Sequence, residues 1–162
     1  MRVFGIDPGS CVTGFGLVEL RRGRLHLLDS GFIRTSSKEP MASRLCLIHK
    51  GLFDAIGRAE PDAVAIEDIF RHKSSESALR LGQARGVALL AAGQHGFEPV
   101  GYNASTVKRT VGGHGKADKE AIAKIVRMLI GQTVEGPADI YDAIAIAITH
   151  CNHSRAGARR VK

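Results

Sequence analysis

The chain has 162 residues and a formal net charge of +7, a length that suits one domain able to bury a core without disulfides. No apolar run approaches the roughly 20 residues needed to span a bilayer. Asp7 interrupts the first apolar stretch before a secretory leader could form, so the expected location is the cytoplasm.

Cys11, Cys46 and Cys151 are odd in number and far apart, with no C-x-x-C pair, which argues against a disulfide framework or a zinc site. Arg155, Arg159, Arg160 and Lys162 supply four of the seven charges in a stretch without acids. The expected organisation is therefore a domain over residues 1–151 and a basic C-terminal tail over 152–162, and such a tail suggests a polyanionic partner.

Arg2–Asp7 reads as a short strand running into the turn formers Asp7-Pro8-Gly9-Ser10. Val12–Leu20, with Gly14 and Gly16 inside it, is a second strand. Arg21-Arg22-Gly23-Arg24 is a basic hairpin turn and Leu25–Arg34 a third strand, so the three form an antiparallel meander. Pro40 opens a helix in which Leu45, Ile48, Leu52 and Ile56 recur at helical spacing. Ala63–Ile66 is an apolar run of the buried-strand kind, with Glu67 at its carboxyl end. Ser74 and Ser75 can cap a second helix running to about Gln94, and Pro99–Tyr102 is a further strand. Thr110–Lys116, with Gly112, Gly113 and Gly115, predicts a mobile loop. Ala117–Ile130 is a helix stopped by Gly131, and Ala138–Cys151 is the last helix. The order β-β-β-α-β-α-β-α-α predicts an α/β fold with a mixed five-stranded sheet and helices on both faces.

Four acids stand where the fold alone does not ask for them. Asp7 follows Val3-Phe4-Gly5-Ile6, Glu67 follows Val64-Ala65-Ile66, and Asp139 and Asp142 open the last helix. Sites in α/β sheets form at strand ends, and i,i+3 spacing puts both aspartates on one helical face. Ile140, Ala143, Ile144, Ala147, Ile148 and Cys151 cover a broad arc of that helix, so the aspartates emerge at its margin. Taken singly, each acid has an ordinary explanation: an aspartate before Pro-Gly forms turns, a glutamate at a strand end is commonly solvated, and aspartates in a first helical turn complement the macrodipole. Their joint occurrence points to four carboxylates converging on one pocket. Such a cluster needs a compensating cation. An all-oxygen donor set selects Mg²⁺ or Mn²⁺ over zinc, and a pair of such ions suits phosphodiester hydrolysis by an activated water.

Three stretches together resemble the Holliday junction resolvases of the RuvC family. They are Gly5-Ile6-Asp7-Pro8-Gly9 with Thr13-Gly14-Phe15-Gly16, then Ala65-Ile66-Glu67 followed by Ser77 through Gly86, and finally Asp139 through Asp142-Ala143-Ile144-Ala145-Ile146-Ala147. The resemblance spans roughly residues 2–151. It implies a ribonuclease-H-like fold, a homodimer, and four catalytic, metal-holding acids at Asp7, Glu67, Asp139 and Asp142. It also implies two Mg²⁺ ions per subunit, with Mn²⁺ able to substitute. The activity it implies is paired symmetric nicking of four-way DNA junctions, leaving 5′-phosphate and 3′-hydroxyl ends, with some sequence preference at the cut and a branch-migration complex of the RuvA and RuvB type as partner.

The same resemblance places DNA contacts on Phe70, Lys108 and Lys119. An exposed Phe70 just past a site strand could stack on an unpaired base, whereas core packing is the usual fate of a phenylalanine. The two lysines could reach the scissile phosphate or its neighbours. Strand alternation turns Asp68 away from Glu67, so Asp68 stays outside the metal set. His114 is either simply a loop residue or one that assists proton transfer or touches a phosphate, and His150 and His153 lack metal-ligand spacing with the acids.

Three rival readings share some of these features. Phosphate-binding modules of the actin and sugar-kinase type also use a Gly-Ile-Asp-x-Gly turn, but they enclose a nucleotide between two such domains and this chain supplies one. A structural DNA binder would use the acids as helix caps. A ribonuclease-H-like nuclease for RNA–DNA hybrids is separated from the resolvase reading by the resemblance alone.

Overall fold

The computed structural model describes residues 1–68, 75–113 and 118–160, with side chains as far as residue 154. Three strands open the chain, β1 (Arg2–Asp7), β2 (Val12–Arg21) and β3 (Arg24–Arg34), followed by helix α1 (Met41–Ala59) and strand β4 (Ala63–Glu67). Helix α2 (Ser75–Gln94), strand β5 (Val100–Tyr102) and helices α3 (Ala104–Gly112), α4 (Lys119–Ile130) and α5 (Ala138–Arg160) complete it. The sheet order is β3-β2-β1-β4-β5. The meander is antiparallel, while β4 runs parallel to both β1 and β5. This is the mixed five-stranded sheet expected from the element order.

Alternation along β1 divides the core. Phe4 and Ile6 are fully buried with Phe15, Ile66 and the inner faces of α1 and α2, and the Phe4 and Phe15 rings stack at 5.5 Å. Val3 looks the other way, into a second cluster built on α3, α4 and α5. Both central strands are thus covered on both faces, which is why they read as continuous apolar runs. Each fully buried side chain of the Ile or Phe class stabilises the fold by about 1.5–3 kcal/mol.

Helix α5 lies directly on the sheet. A Cβ at Gly5 would stand 2.1 Å from the Ala143 carbonyl oxygen, and one at Gly14 would stand 2.2 Å from that of Asp139. The residues Ala143 to Thr149 of α5 are all buried, because α3 and α4 cover the side turned away from the sheet.

Two expectations need correction. Thr110–Gly112 do not begin a loop: they are the last turn of α3, which the sequence reading omitted. Asn103 caps that helix, its side chain accepting from the Thr106 N–H at 2.8 Å, and Gly113 ends it in the left-handed conformation. Helix formation wins over the glycines because Val107 and Val111, one turn apart, bury themselves against α5 and α4. Residues 114–117, with His114 and Lys116, lie outside the described residues. The last helix also extends past Cys151, its backbone continuing to Arg160.

Candidate active site

Asp7 is the last residue of β1 and pairs across the sheet with Gly14 of β2. On the other side Ile6 is in register with Ile66 of β4, so Glu67 ends its strand one step on, beside Asp7. Both carboxylates fall on the face covered by α5, where Asp139 and Asp142 occupy the first turns of that helix. The close seating of α5 at Gly14 and Gly5 is what brings these turns down onto the strand ends.

The turn after Asp7 is held from several sides. The buried Thr13 hydroxyl donates to the Gly9 carbonyl at 2.8 Å and accepts from the Gly9 N–H at 3.2 Å. Thr35 donates its hydroxyl to the Ser10 carbonyl at 2.6 Å, and the Arg44 Nη2 donates to the same carbonyl at 2.5 Å. Arg44 is itself buried and makes no ion pair among the described residues. Its cost is offset by these neutral acceptors.

A pocket of about 290 Å³ gathers Asp7, Glu67, Asp139 and Asp142. Its remaining charged lining is Lys108 from α3 and Lys119 from the start of α4, and Leu81, Val107, Ile122 and Ile146 form apolar walls. Asp7 is the deepest acid, 8% exposed. Burial, the charges of Glu67 and Asp142, a hydrogen bond with Glu67 and the charge of Asp139 together hold its carboxyl well above the usual range. Lys119 Nζ lies 2.8 Å from Asp142 Oδ2. That hydrogen bond, with the charges of Asp142, Asp7 and Asp139, raises the Lys119 ammonium above its ordinary value against the opposing effect of burial.

The four acids proposed from the sequence therefore come together in one pocket, with both lysines. Among the described residues no three acidic, histidine or cysteine side chains are already closed into a metal cage. Asp7 and Glu67 are hydrogen-bonded to each other, and Asp142 is held by Lys119. Asp68 is turned away as alternation predicts, onto Arg85 of α2 at 2.5 Å. Phe70 lies outside the described residues. His150 and His153 pack on Tyr102: its ring meets that of His153 edge-on at 5.3 Å, and its hydroxyl lies 3.0 Å from His150 Nδ1.

Sequence reasoning missed the wall that α3 supplies, although its signal was present in Asn103 as cap and Val107 and Val111 at i,i+4. It also gave no role to Arg85, whose partners are far away in sequence.

A family model described as crossover junction endodeoxyribonuclease RuvC matches residues 3–150. The crossover junction endodeoxyribonuclease RuvC of Trichlorobacter lovleyi is 47% identical over 152 residues, covering 94% of this chain and 85% of the relative. That of Cronobacter sakazakii is 46% identical, covering 94% and 88%. Among solved structures, T. thermophilus RuvC in complex with Holliday junction substrate superposes with a TM-score of 0.90 at 36% identity, over 97% of this chain and 96% of that one. The yeast mitochondrial Holliday junction resolvase, 15% identical with a TM-score of 0.65, shares the fold.

Proposed function

Because the chain belongs to the RuvC family of crossover junction endodeoxyribonucleases, we propose that the four-carboxylate pocket is the centre at which it nicks four-way DNA junctions. The chain is a Holliday junction resolvase of recombination and DNA repair. The observation that carries the assignment of the site is the convergence of Asp7, Glu67, Asp139 and Asp142, from three separate elements, on one pocket whose other charged residues are two lysines.

The donor set fits divalent metal ions. It offers carboxylate oxygens without histidine or thiolate, the choice of Mg²⁺ or Mn²⁺, and Asp7 is buried with the charges of Glu67, Asp142 and Asp139 close to it, which a cation would offset. Asp7, Glu67, Asp139 and Asp142 would together hold two Mg²⁺ ions, with Mn²⁺ able to substitute. When bound, such ions let the carboxylates ionise together, acidify the attacking water and offset charge on the departing 3′ oxygen.

The protein's own part is positioning. The pinned turn after Asp7 fixes the central carboxylate, and the apolar walls limit water around it. Lys119, 71% exposed along its side chain and held at Asp142, offers its ammonium to a scissile phosphate oxygen. Lys108, across the same pocket, serves a neighbouring phosphate. Phe70 and the basic segment 152–162 are further DNA contacts in this reading. The products are a 5′-phosphate and a 3′-hydroxyl.

Paired nicks call for two copies. Helix α2 buries Ala84, Ala88, Ala91 and Ala92 on one side. Its opposite side carries Leu79 and Leu90, 63% and 55% exposed, in line with Gly86 and Gly93, around which there is open space. The spacing 79, 86, 90, 93 has the period of a helix–helix seam. Antiparallel pairing about Gly86 would set Leu79 of one copy against Gly93 of the other. This self-complementarity supports a homodimer. The family resemblance is what supports the cytoplasm as its compartment and a RuvA–RuvB-type branch-migration complex as its partner. A Leu90→Glu variant is expected to sediment as a monomer and to lose the pairing of nicks.

The assignment is tested by incubating the protein with a synthetic four-way junction, a linear duplex and an RNA–DNA hybrid, with and without Mg²⁺, and reading products on a denaturing gel. Mg²⁺-dependent symmetric nicks in the junction alone are expected. Junction binding without nicking would support the structural DNA binder, and hybrid cleavage would support the other nuclease.

A further inference from the structure

Glu67 is the last residue of its strand, and a strand end is the least constrained place in a sheet. Something must fix the main chain there if its carboxylate is to meet Asp7. The next residue, Asp68, looks to the opposite face, where Arg85 of α2 meets both. Arg85 Nε donates to the Glu67 main-chain carbonyl at 3.1 Å, and Arg85 Nη2 donates to Asp68 Oδ1 at 2.5 Å. The Asp68 N–H donates to the Tyr102 carbonyl at 2.9 Å, carrying the β4–β5 pairing one residue beyond Glu67. Gly101 makes room for this arrangement, because a Cβ there would lie 2.4 Å from both Asp68 carboxylate oxygens.

The fork is partly exposed, 25% for the Arg85 side chain and 35% for that of Asp68. Ion pairs so screened add little to stability, so energy alone does not account for it. Its geometry does more: a planar guanidinium spans two acceptors at a fixed angle, which a lysine cannot do. Arg85 is also the neighbour in sequence of Gly86, at the centre of the seam on α2.

We propose that Arg85, aligned by Asp68, is a positioning residue for Glu67: it locks the main chain at the strand end so that the glutamate carboxylate is presented beside Asp7, in the pocket that would hold divalent ions. Helix α2 thereby joins the dimer seam to the catalytic pocket. The proposal rests on the reading of Glu67 as a metal-holding carboxylate.

The test uses the full-length wild type with Arg85→Lys, Asp68→Asn, the double variant and Glu67→Gln. Mn²⁺ binding is titrated directly in the absence of DNA, thermal unfolding is followed in EDTA, and cleavage of a synthetic junction is measured as a function of Mn²⁺. Arg85→Lys should raise the Mn²⁺ midpoint about 10-fold, the usual scale for a group that orients a metal ligand. The Tm in EDTA should be unchanged, and cleavage should recover at saturating Mn²⁺. Asp68→Asn, a milder and isosteric change, should shift the midpoint in the same direction by less, and the double variant should be no worse than Arg85→Lys, since both act through one link. A wild-type midpoint in Arg85→Lys, or a fall in Tm without a shift in midpoint, would overturn the positioning role while an impaired Glu67→Gln leaves the pocket reading intact. Wild-type Mn²⁺ binding and cleavage by Glu67→Gln would overturn the pocket reading and the positioning role together.

Discussion

The main chain of Asp139 occupies the place where a side chain at position 14 would begin: a Cβ on Gly14 would lie 2.2 Å from the Asp139 carbonyl oxygen and 2.9 Å from the Ile140 nitrogen. Gly14 is also the cross-strand partner of Asp7. One missing methyl group thus sets the distance between a carboxylate at the end of β1 and a carboxylate at the start of α5.

Gly14→Ala should therefore injure both stability and the site. Backbone atoms cannot rotate out of the way as a side chain can, so α5 must lift from the sheet. Overpacking of this kind costs about 1–3 kcal/mol, and cleavage should fall with it as Asp139 and Asp142 move away from Asp7. Thermal unfolding and junction cleavage of Gly14→Ala beside the wild type check both effects, and an undisturbed Gly14→Ala would remove the proposed seating of α5.

Asp7→Asn should keep junction binding and lose cleavage. It should also raise the Tm in EDTA by a few degrees, corresponding to about 1 kcal/mol, because it removes the most buried of four mutually repelling acids. Adding Mg²⁺ or Mn²⁺ should stabilise the wild type and stabilise the variant much less. Differential scanning calorimetry with and without EDTA measures each of these shifts.

Lys108→Ala and Lys119→Ala should separate phosphate contact from metal holding. Each should weaken junction affinity and reduce the slope of log K against log salt by about 1, without raising the Mn²⁺ midpoint. An unchanged salt slope in both variants would show that neither lysine meets a phosphate.

His150 provides a pH dependence away from the pocket. Burial, assisted by the neighbouring His153, holds its imidazole below the ordinary value of 6.5. The unfolded chain therefore takes up this proton at higher pH than the folded one. The stability tied to the neutral ring is present above the unfolded value and is lost as pH falls from about 6.5 towards the depressed folded value. In the folded chain the neutral ring pairs with the Tyr102 hydroxyl at 3.0 Å. The Tm of the wild type, followed from pH 7.5 to 5.5, should fall more steeply than that of His150→Gln.

Most elements were legible because their signals are local. The buried central strands show as unbroken apolar runs, α1 as Ile48, Leu52 and Ile56 one turn apart, and the end of α4 as Gly131. The misread segment, α3, has a cap and a one-turn apolar pair, but its glycines resemble a loop until its apolar side is covered by α4 and α5. The boundary of α5 was misjudged for a related reason: after Cys151 the sequence offers polar, basic and small residues with no apolar period to mark the helix, whose backbone continues to Arg160.

The identities of Asp7, Glu67, Asp139 and Asp142, their places at strand and helix ends, and the alternation that separates Glu67 from Asp68 are all properties of the chain read in one dimension, since period and position are local. The depth of Asp7, the contact of Lys119 with Asp142 and the fork of Arg85 across Glu67 and Asp68 belong to tertiary structure. They depend on how closely α5, α4 and α2 approach the sheet, and that approach is set by contacts such as Gly14 with Asp139, between residues more than a hundred positions apart.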